Sequence, residues 1–182
     1  MYGLQFEAPV PNLNEGWARA DYARVSADTL DRDNPVRQFD GYYGSLAAGG
    51  RPRWDQFDIC SVPSDVVAHI ALGRPTYMAA TSPRPDHFVY TLEGGAVRAL
   101  LGTSVLGQKV GHVLHHRLTV TLHAEIAEAM DSGQAILSRT DIAKSDWPAM
   151  EITRGLFLFA GVERPIDRLV MVLSRRYATD PS

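Results

Sequence analysis

The sequence predicts an α+β domain, in which the strands of an antiparallel sheet are interrupted by helices and preceded by one more helix. Three observations lead to this prediction. Residues 88–92 alternate as the two faces of a strand require. Apolar residues recur every four positions from Leu118 to Met130, along one face of a helix. Two long apolar runs, at 149–161 and 165–176, then have the composition of strands.

The composition limits the class of protein. With 182 residues, 45% hydrophobic and 21% charged, the chain suits one globular domain with an extension. The net charge of -3 and the scattered arginines argue against nucleic acid and membrane partners, because both bind basic surfaces. The single cysteine, Cys60, excludes an internal disulfide. No segment resembles a secretory signal or has the roughly 20 apolar residues of a bilayer span, so we expect a cytoplasmic protein.

The N-terminal part predicts an extension followed by a helix. Residues 1–32 are rich in turn formers and are expected to be partly flexible, although 17–30 could form a short helix. Asn34 or Asp33 can cap a helix over 34–48, and a proline follows at the position that suits a first turn. The apolar face of that helix comprises Val36, Phe39, Tyr43 and Leu46.

The middle of the chain predicts a hairpin and a glycine junction. A short helix over 64–72 precedes strands at 75–81 and 86–92, which a turn with two prolines joins. The second strand stops at Gly94–Gly95, and a short helix then runs to Gly102. We interpret the glycine pair as the point where the chain turns off the sheet, because glycine takes backbone angles that other residues resist.

The C-terminal part predicts a long helix over 115–132 and three strands, at 134–143, 149–161 and 165–176. The last two strands are apolar on both faces, which is not the pattern of an antiparallel strand half exposed to water. The second face must therefore be covered, either by the first helix or by a second copy of the chain. Self-association through that helix and face is expected for this reason.

Four stretches then carry a resemblance to a known family. The stretches are "YYGSLAAGGRPRWDQFDI", "FVYTLEGGAVRALLGTSVLGQKVG", "HAEIAEAMDSGQAI" and "LFLFAGVERPIDRLVMVLS", and the resemblance covers about residues 36–176. With the element order, they resemble a PAS domain, and in particular a bacterial PAS family, common in alphaproteobacteria, with a helix ahead of the sheet. The chain has Gly-Gly after the strand where relatives commonly have Gly-Thr or Gly-Ser.

The resemblance implies a five-stranded antiparallel sheet with the intervening helices folded over one face to enclose a pocket. It also implies a sensing or protein-pairing role in bacterial signalling. The chain would then divide into an N-terminal extension (1–32), a PAS-like domain (33–177) with an N-terminal helix (33–50) and a core (about 75–176), and a tail (178–182).

The candidate ligand-binding residues would line that pocket from the second strand and the long helix: Phe88, Tyr90, His115, Leu118 and Leu122. Helical spacing places His115 on the same face as Leu118 and Leu122. The resemblance adds that some PAS sensors ligate haem through a histidine on this helix. The alternative is that one histidine of the local cluster is a buried hydrogen-bonding group and the others are solvated. The sequence therefore assigns no metal and leaves the cofactor unknown.

The sequence contains none of the catalytic motifs that we sought. It has neither a Gly-x-Ser-x-Gly elbow nor a phosphate-binding glycine loop. The carboxylate pairs Glu125 with Glu128 and Asp141 with Asp146 are expected on solvated faces. We therefore expect no enzymatic activity.

The functional prediction is a non-enzymatic PAS-type sensory module. It would bind a small, largely apolar molecule between the long helix and the sheet, pair with a signalling partner protein, or do both. One alternative is a structural dimerisation module without a ligand. Another is a small cone-shaped α+β enzyme, which would require a His-Asp dyad in its cavity.

Overall fold

The computed structural model describes residues 19–47, 49–79, 82–114, 116–144 and 147–177. Its helices are α1 (Pro35–Leu46), α2 (Ser64–Val67), α3 (Gly95–Leu101) and α4 (His116–Ser132). Its strands are β1 (Arg19–Arg24), β2 (Ile70–Thr76), β3 (His87–Glu93), β4 (Ile136–Lys144), β5 (Trp147–Phe159) and β6 (Arg168–Tyr177). The architecture is α+β, as the sequence predicts. The division of the chain into extension, domain and tail stays a prediction.

The strands form one antiparallel sheet in the order β1-β4-β5-β6-β2-β3. The sheet has six strands instead of the expected five, because β1 pairs beside β4, from Arg19 opposite Ala143 to Arg24 opposite Ser138. The prediction of a short helix at 17–30 is therefore wrong for residues 19–24, while Ala27–Thr29 form one turn of 3-10 helix and residues 17 and 18 lie outside the described part of the chain. The physical reason is the edge of β4, whose backbone groups bond to β1 instead of standing open to water.

Strand β2 begins earlier than the sequence predicts. The expected strand at 75–81 is wrong, since β2 runs from Ile70 to Thr76, and α2 ends at Val67 instead of continuing to residue 72. Ile70 and Ala71 are fully buried on opposite faces of the sheet, opposite Val172 and Met171 of β6. A run buried on both sides has no amphipathic period, so the sequence alone did not separate a central strand from a short helix.

The sheet has two covered faces. We call the side of Phe157, Phe159 and Val170 the outer face, and the side of Leu156 and Met171 the inner face. Helix α1 lies on the outer face and buries Val36, Phe39 and Tyr43 there. Its predicted cap is confirmed, because the Asn34 side chain accepts a hydrogen bond from the Val36 N–H at 2.9 Å.

This arrangement settles how the second apolar face is covered. Helix α1 and the segment after it supply the cover from within the chain, and Trp54 and Phe57 stack there at 4.6 Å between ring centroids. An exposed apolar face therefore no longer argues for self-association, which stays a prediction without that support.

Helices α3 and α4 cover the inner face, as the resemblance implies. Leu122 and Ile126 of α4 are buried in the inner core, and Val97 and Leu100 of α3 pack into the same cluster. Gly102 ends α3 in the left-handed conformation, with φ of 70°. These helices lie between strands β3 and β4 in the chain, so the segment that interrupts the sheet is also the one that covers it.

Our interpretation of the glycine pair is wrong in its mechanism. Gly94 is extended, with φ of -77° and ψ of 158°, and Gly95 has no positive φ either. Gly94 is required by a close approach instead, since a Cβ there would lie 2.2 Å from the carbonyl oxygen of Ala68. A Cβ on Gly95 would meet nothing within 4 Å. The close approach of the two backbone segments at this turn therefore requires glycine at position 94 and not at position 95.

Candidate functional site

A small cavity of about 40 Å³ lies between the inner face and helices α3 and α4. Its described apolar lining comprises Leu100, Leu101, Leu114, Leu118, Ile142, Ile152, Met171 and Leu173, and its polar lining comprises Tyr90, Thr140 and Arg154. The elements that contribute are distant in the sequence and meet only because α3 and α4 fold back over the sheet. The cavity is a largely apolar space with a few polar groups on its wall.

Of the four predicted ligand-binding residues that the structure describes, two line this cavity and two do not. Tyr90 and Leu118 lie on its wall. Phe88 lines a separate groove of about 220 Å³, which also contains His123. Leu122 is fully buried in the inner core without lining either space, and His115 lies outside the described residues. Ligand binding at these positions stays a prediction.

Arg154 is the charged residue of the cavity wall. It comes from β5, where it shares the inward-facing side with Ile152 and Leu156, and its side chain is only 10% exposed. Its Nη2 donates to the Oε2 of Glu125 on α4. Its Nε–H is buried and, within the described residues, has no hydrogen-bond acceptor. A buried donor without an acceptor is costly, so it marks a place where a bound molecule could supply one.

Glu125 connects the cavity wall to the edge strand. The side chain is 1% exposed, and its Oε1 accepts hydrogen bonds from Tyr22 Oη at 2.8 Å and from Arg24 Nη1 at 2.9 Å. Arg24 also donates to Glu128, which is exposed. Burial, followed by the hydrogen bond to Glu125, raises the pKa of the Tyr22 hydroxyl to about 12. Strand β1 is thus attached to α4 by charged and phenolic groups.

The expectation that Glu125 lies on a solvated face is wrong, whereas Glu128 is exposed as expected. The sequence contains a signal that would have corrected it. Glu125 follows Leu122 by three positions and precedes Ala129 by four, so it belongs to the buried face of α4. Arg154 likewise occupies an inward position of a strand whose alternation is visible in the sequence.

Tyr90 is the second hydrogen-bond donor on the cavity wall. Tyr90 is 4% exposed, and burial raises the pKa of its hydroxyl well above the usual range. The hydroxyl donates to the sulfur of Met171 at 3.9 Å. A thioether is a weak acceptor, so an oxygen atom in the cavity would compete well for this hydrogen.

The histidines do not assemble into a metal centre in the part of the chain that the structure describes, where no group of three or more ligating side chains occurs. His112 is exposed, and the Nε2 of His123 lies 3.2 Å from the carbonyl oxygen of Val110. His123 therefore acts as a hydrogen-bonding group beside the groove of Phe88. A role for His115 in haem binding stays a hypothesis.

Two larger grooves, of about 510 and 520 Å³, open elsewhere on the molecule. The first lies on the outer face, where Arg176 pairs with Asp31 at 2.9 Å and Arg139 lies 3.7 Å from Glu151. These ion pairs lie at the surface, and the Nε of Arg139 and the Nη1 of Arg175 on the same wall are buried without a hydrogen-bond acceptor in the described residues. The smaller cavity is the better candidate site because its described wall is largely apolar and has few polar groups.

Comparison with known proteins finds one similar solved structure. No protein family model matches the chain, and no curated protein matches it. One solved structure, of an RNA-binding light-oxygen-voltage receptor, is similar over 86% of this chain, with 13% sequence identity and a TM-score of 0.37. The chain spans 38% of that protein. A likeness this weak does not determine function. Among the described residues, no helix is both long enough and apolar enough to span a bilayer.

Proposed function

We propose that this protein is a PAS-type sensory module, without enzymatic activity, that binds a small and largely apolar molecule in the cavity between α4 and the sheet. The observation that carries this proposal is the cavity itself. It lies where the resemblance places a pocket, and Tyr90 and Leu118 are on its wall. Its described wall contains no carboxylate or imidazole, the groups that most often serve as a general base.

The dimensions of the cavity restrict the ligand. At about 40 Å³ the space is far below the roughly 300–1,000 Å³ of sites for drug-sized molecules. The ligand is therefore a molecule of a few heavy atoms, or a larger one that displaces Leu114 and Leu118. Both leucines are only partly buried, so they are free to change rotamer more easily than the residues deeper in the core.

The contacts around the cavity suggest how binding would be transmitted. A bound molecule would alter the packing of α4, and Glu125 of that helix contacts Tyr22 and Arg24 of strand β1. Strand β1 lies at the edge of the sheet, where a signalling partner protein could pair with it. We propose this edge as the output surface. The negative net charge favours a protein over nucleic acid or membrane as the partner.

Filling the cavity tests the proposal. Leu118→Trp places a large side chain in the cavity, whereas Val120→Trp adds the same group at a position of α4 that is 55% exposed. We would titrate the full chain with buffer saturated in pentane and follow amide chemical shifts by NMR. The expected result is a set of shifts around the cavity that Leu118→Trp abolishes and Val120→Trp preserves. Shifts that survive in Leu118→Trp, or none in the wild type, would contradict ligand binding at this site.

A ligand-free dimerisation module is the second candidate, and the small volume of the cavity favours it. Native mass spectrometry separates the two. A co-purifying small molecule that is lost in Leu118→Trp supports the sensory module. A dimer that carries no molecule, and whose cavity shows no response to pentane, supports the dimerisation module instead.

A further inference from the structure

The cavity has an excess of hydrogen-bond donors. The Nε–H of Arg154 has no acceptor in the described part of the chain, and the Tyr90 hydroxyl has only the Met171 thioether. Thr140 is the other polar residue of the described wall. The hydroxyl oxygens of Tyr90 and Thr140 can each accept a hydrogen bond as well as donate one, but the described lining offers no carboxylate, amide or imidazole acceptor. A molecule that fits this wall therefore brings an acceptor and does not need to bring a donor.

The charges around the cavity are already balanced. Arg154 pairs with Glu125, and Arg24 pairs with both Glu125 and Glu128. Two cations thus face two carboxylates, and the cluster is neutral without a ligand. A ligand carboxylate would add an uncompensated charge to a largely apolar space and would lose part of its hydration there. A neutral acceptor avoids that cost.

We infer that the cavity recognises a small apolar molecule through a neutral carbonyl oxygen, which accepts a hydrogen bond from Arg154 Nε and a second from the Tyr90 hydroxyl. This inference rests on the proposed function and specifies its ligand class as ketones, aldehydes or esters of a few carbon atoms. Arg154 keeps its ion pair with Glu125 when the carbonyl binds, since Nη2 and Nε are separate donors on one guanidinium.

The probes are 2-butanone, butyrate and pentane, which are similar in size and differ in the acceptor. Arg154→Lys retains the positive charge beside Glu125 and removes the second donor. The matched control is Arg176→Lys, because Arg176 lies on β6, is 71% exposed and pairs with Asp31 on the outer face. Affinities of the full chain are measured by NMR titration at pH 7.5, where butyrate is ionised.

The expected result is that 2-butanone binds more tightly than butyrate, and that Arg154→Lys lowers the affinity for 2-butanone by about tenfold. The same substitution should change the affinity for pentane by less than about twofold. Arg176→Lys should change the affinity for each of the three probes by less than about twofold. Equal affinity of 2-butanone in wild type and Arg154→Lys, or tighter binding of butyrate, would overturn the inference while pentane binding still supported the cavity. If none of the probes binds, the proposed function itself fails.

A second variant keeps the test decisive if Arg154→Lys does not fold. Tyr90→Phe removes the other donor and leaves the ion pair between Arg154 and Glu125 in place. It should lower the affinity for 2-butanone by about threefold, because a single neutral hydrogen bond is lost, and leave the affinity for pentane unchanged. An unchanged affinity for 2-butanone in Tyr90→Phe would remove Tyr90 from the inferred site.

Discussion

The two faces of the sheet are packed in different ways. On the outer face, aromatic rings fill the space under α1, with Phe39 edge-on to Phe157 at 4.7 Å and Tyr43 edge-on to Phe159 at 5.2 Å. The Tyr43 hydroxyl finds its acceptor within the protein, the Leu158 carbonyl oxygen at 2.7 Å. On the inner face, aliphatic side chains leave a cavity beside a buried ion pair and donors without good acceptors.

The two faces therefore differ in the role that their packing suits. Interlocking rings under α1 leave little room to move, so this part of the outer face is suited to holding the fold. The inner face combines a space, partly buried leucines at its wall and unsatisfied donors, which is the composition of a binding site. The comparison predicts that changes to the outer face alter stability and that changes to the inner face alter ligand binding as well.

The largest expected effect comes from emptying the outer face. Phe39 is fully buried, and Phe39→Ala should lower the free energy of unfolding by about 4 kcal/mol. The substitution removes buried apolar surface and leaves a cavity between the aromatic rings. Urea denaturation followed by circular dichroism measures this. Val162→Ala, at a position 77% exposed, is the control and should change stability by less than about 0.5 kcal/mol.

The same variant sharpens the comparison. If the two faces are independent, Phe39→Ala still gives the pentane-induced shifts at the cavity under conditions where it is folded. Loss of those shifts in the folded variant would mean that the outer face shapes the cavity, and the separation of the faces would then be wrong.

The next effect comes from the ion pair on the inner face. Glu125→Gln should lower the free energy of unfolding by about 3 kcal/mol, because it leaves the buried charge of Arg154 without its counter-charge. Glu128→Gln, on the same helix but 53% exposed, should cost at most about 1 kcal/mol. Urea denaturation of both variants gives the comparison directly.

Glu125→Gln should also loosen β1, since Tyr22 and Arg24 lose their shared carboxylate. Hydrogen exchange of the β1 amides measures this loosening against Glu128→Gln. Equal exchange protection of the β1 amides in the two variants would show that backbone pairing with β4 alone holds the strand. That result would contradict the proposal that Glu125 connects the cavity to the output surface.

The smallest of the three effects is at the junction where the chain leaves the sheet. Gly94→Ala should destabilise the protein by about 2 kcal/mol, because the new Cβ meets the Ala68 carbonyl oxygen and that backbone must shift. Gly95→Ala should be neutral or slightly stabilising, since its Cβ enters open space in the first turn of α3. Thermal unfolding of the pair decides whether close approach or backbone freedom explains the two glycines, and equal losses would contradict our account.

The candidate site was only partly predictable from the sequence. The resemblance placed a pocket over the sheet, and Tyr90 and Leu118 do line a cavity there. Arg154 and Glu125 were missed, although each occupies an inward position of its strand or helix. A charged residue in the sequence is read as exposed unless its partner is known, and these two partners are 29 positions apart.

The sequence by itself determined the elements whose apolar pattern repeats: α1 with its Asn34 cap, α4, and the last three strands. Periodicity records which side of a helix or strand avoids water, and that is a local property. Only the tertiary structure decided that residues 19–24 form a strand, that β2 begins at Ile70 and that Glu125 is buried. Each of these depends on a partner far along the chain, the edge of β4, the backbone of β6 or the guanidinium of Arg154, and no local pattern specifies a partner.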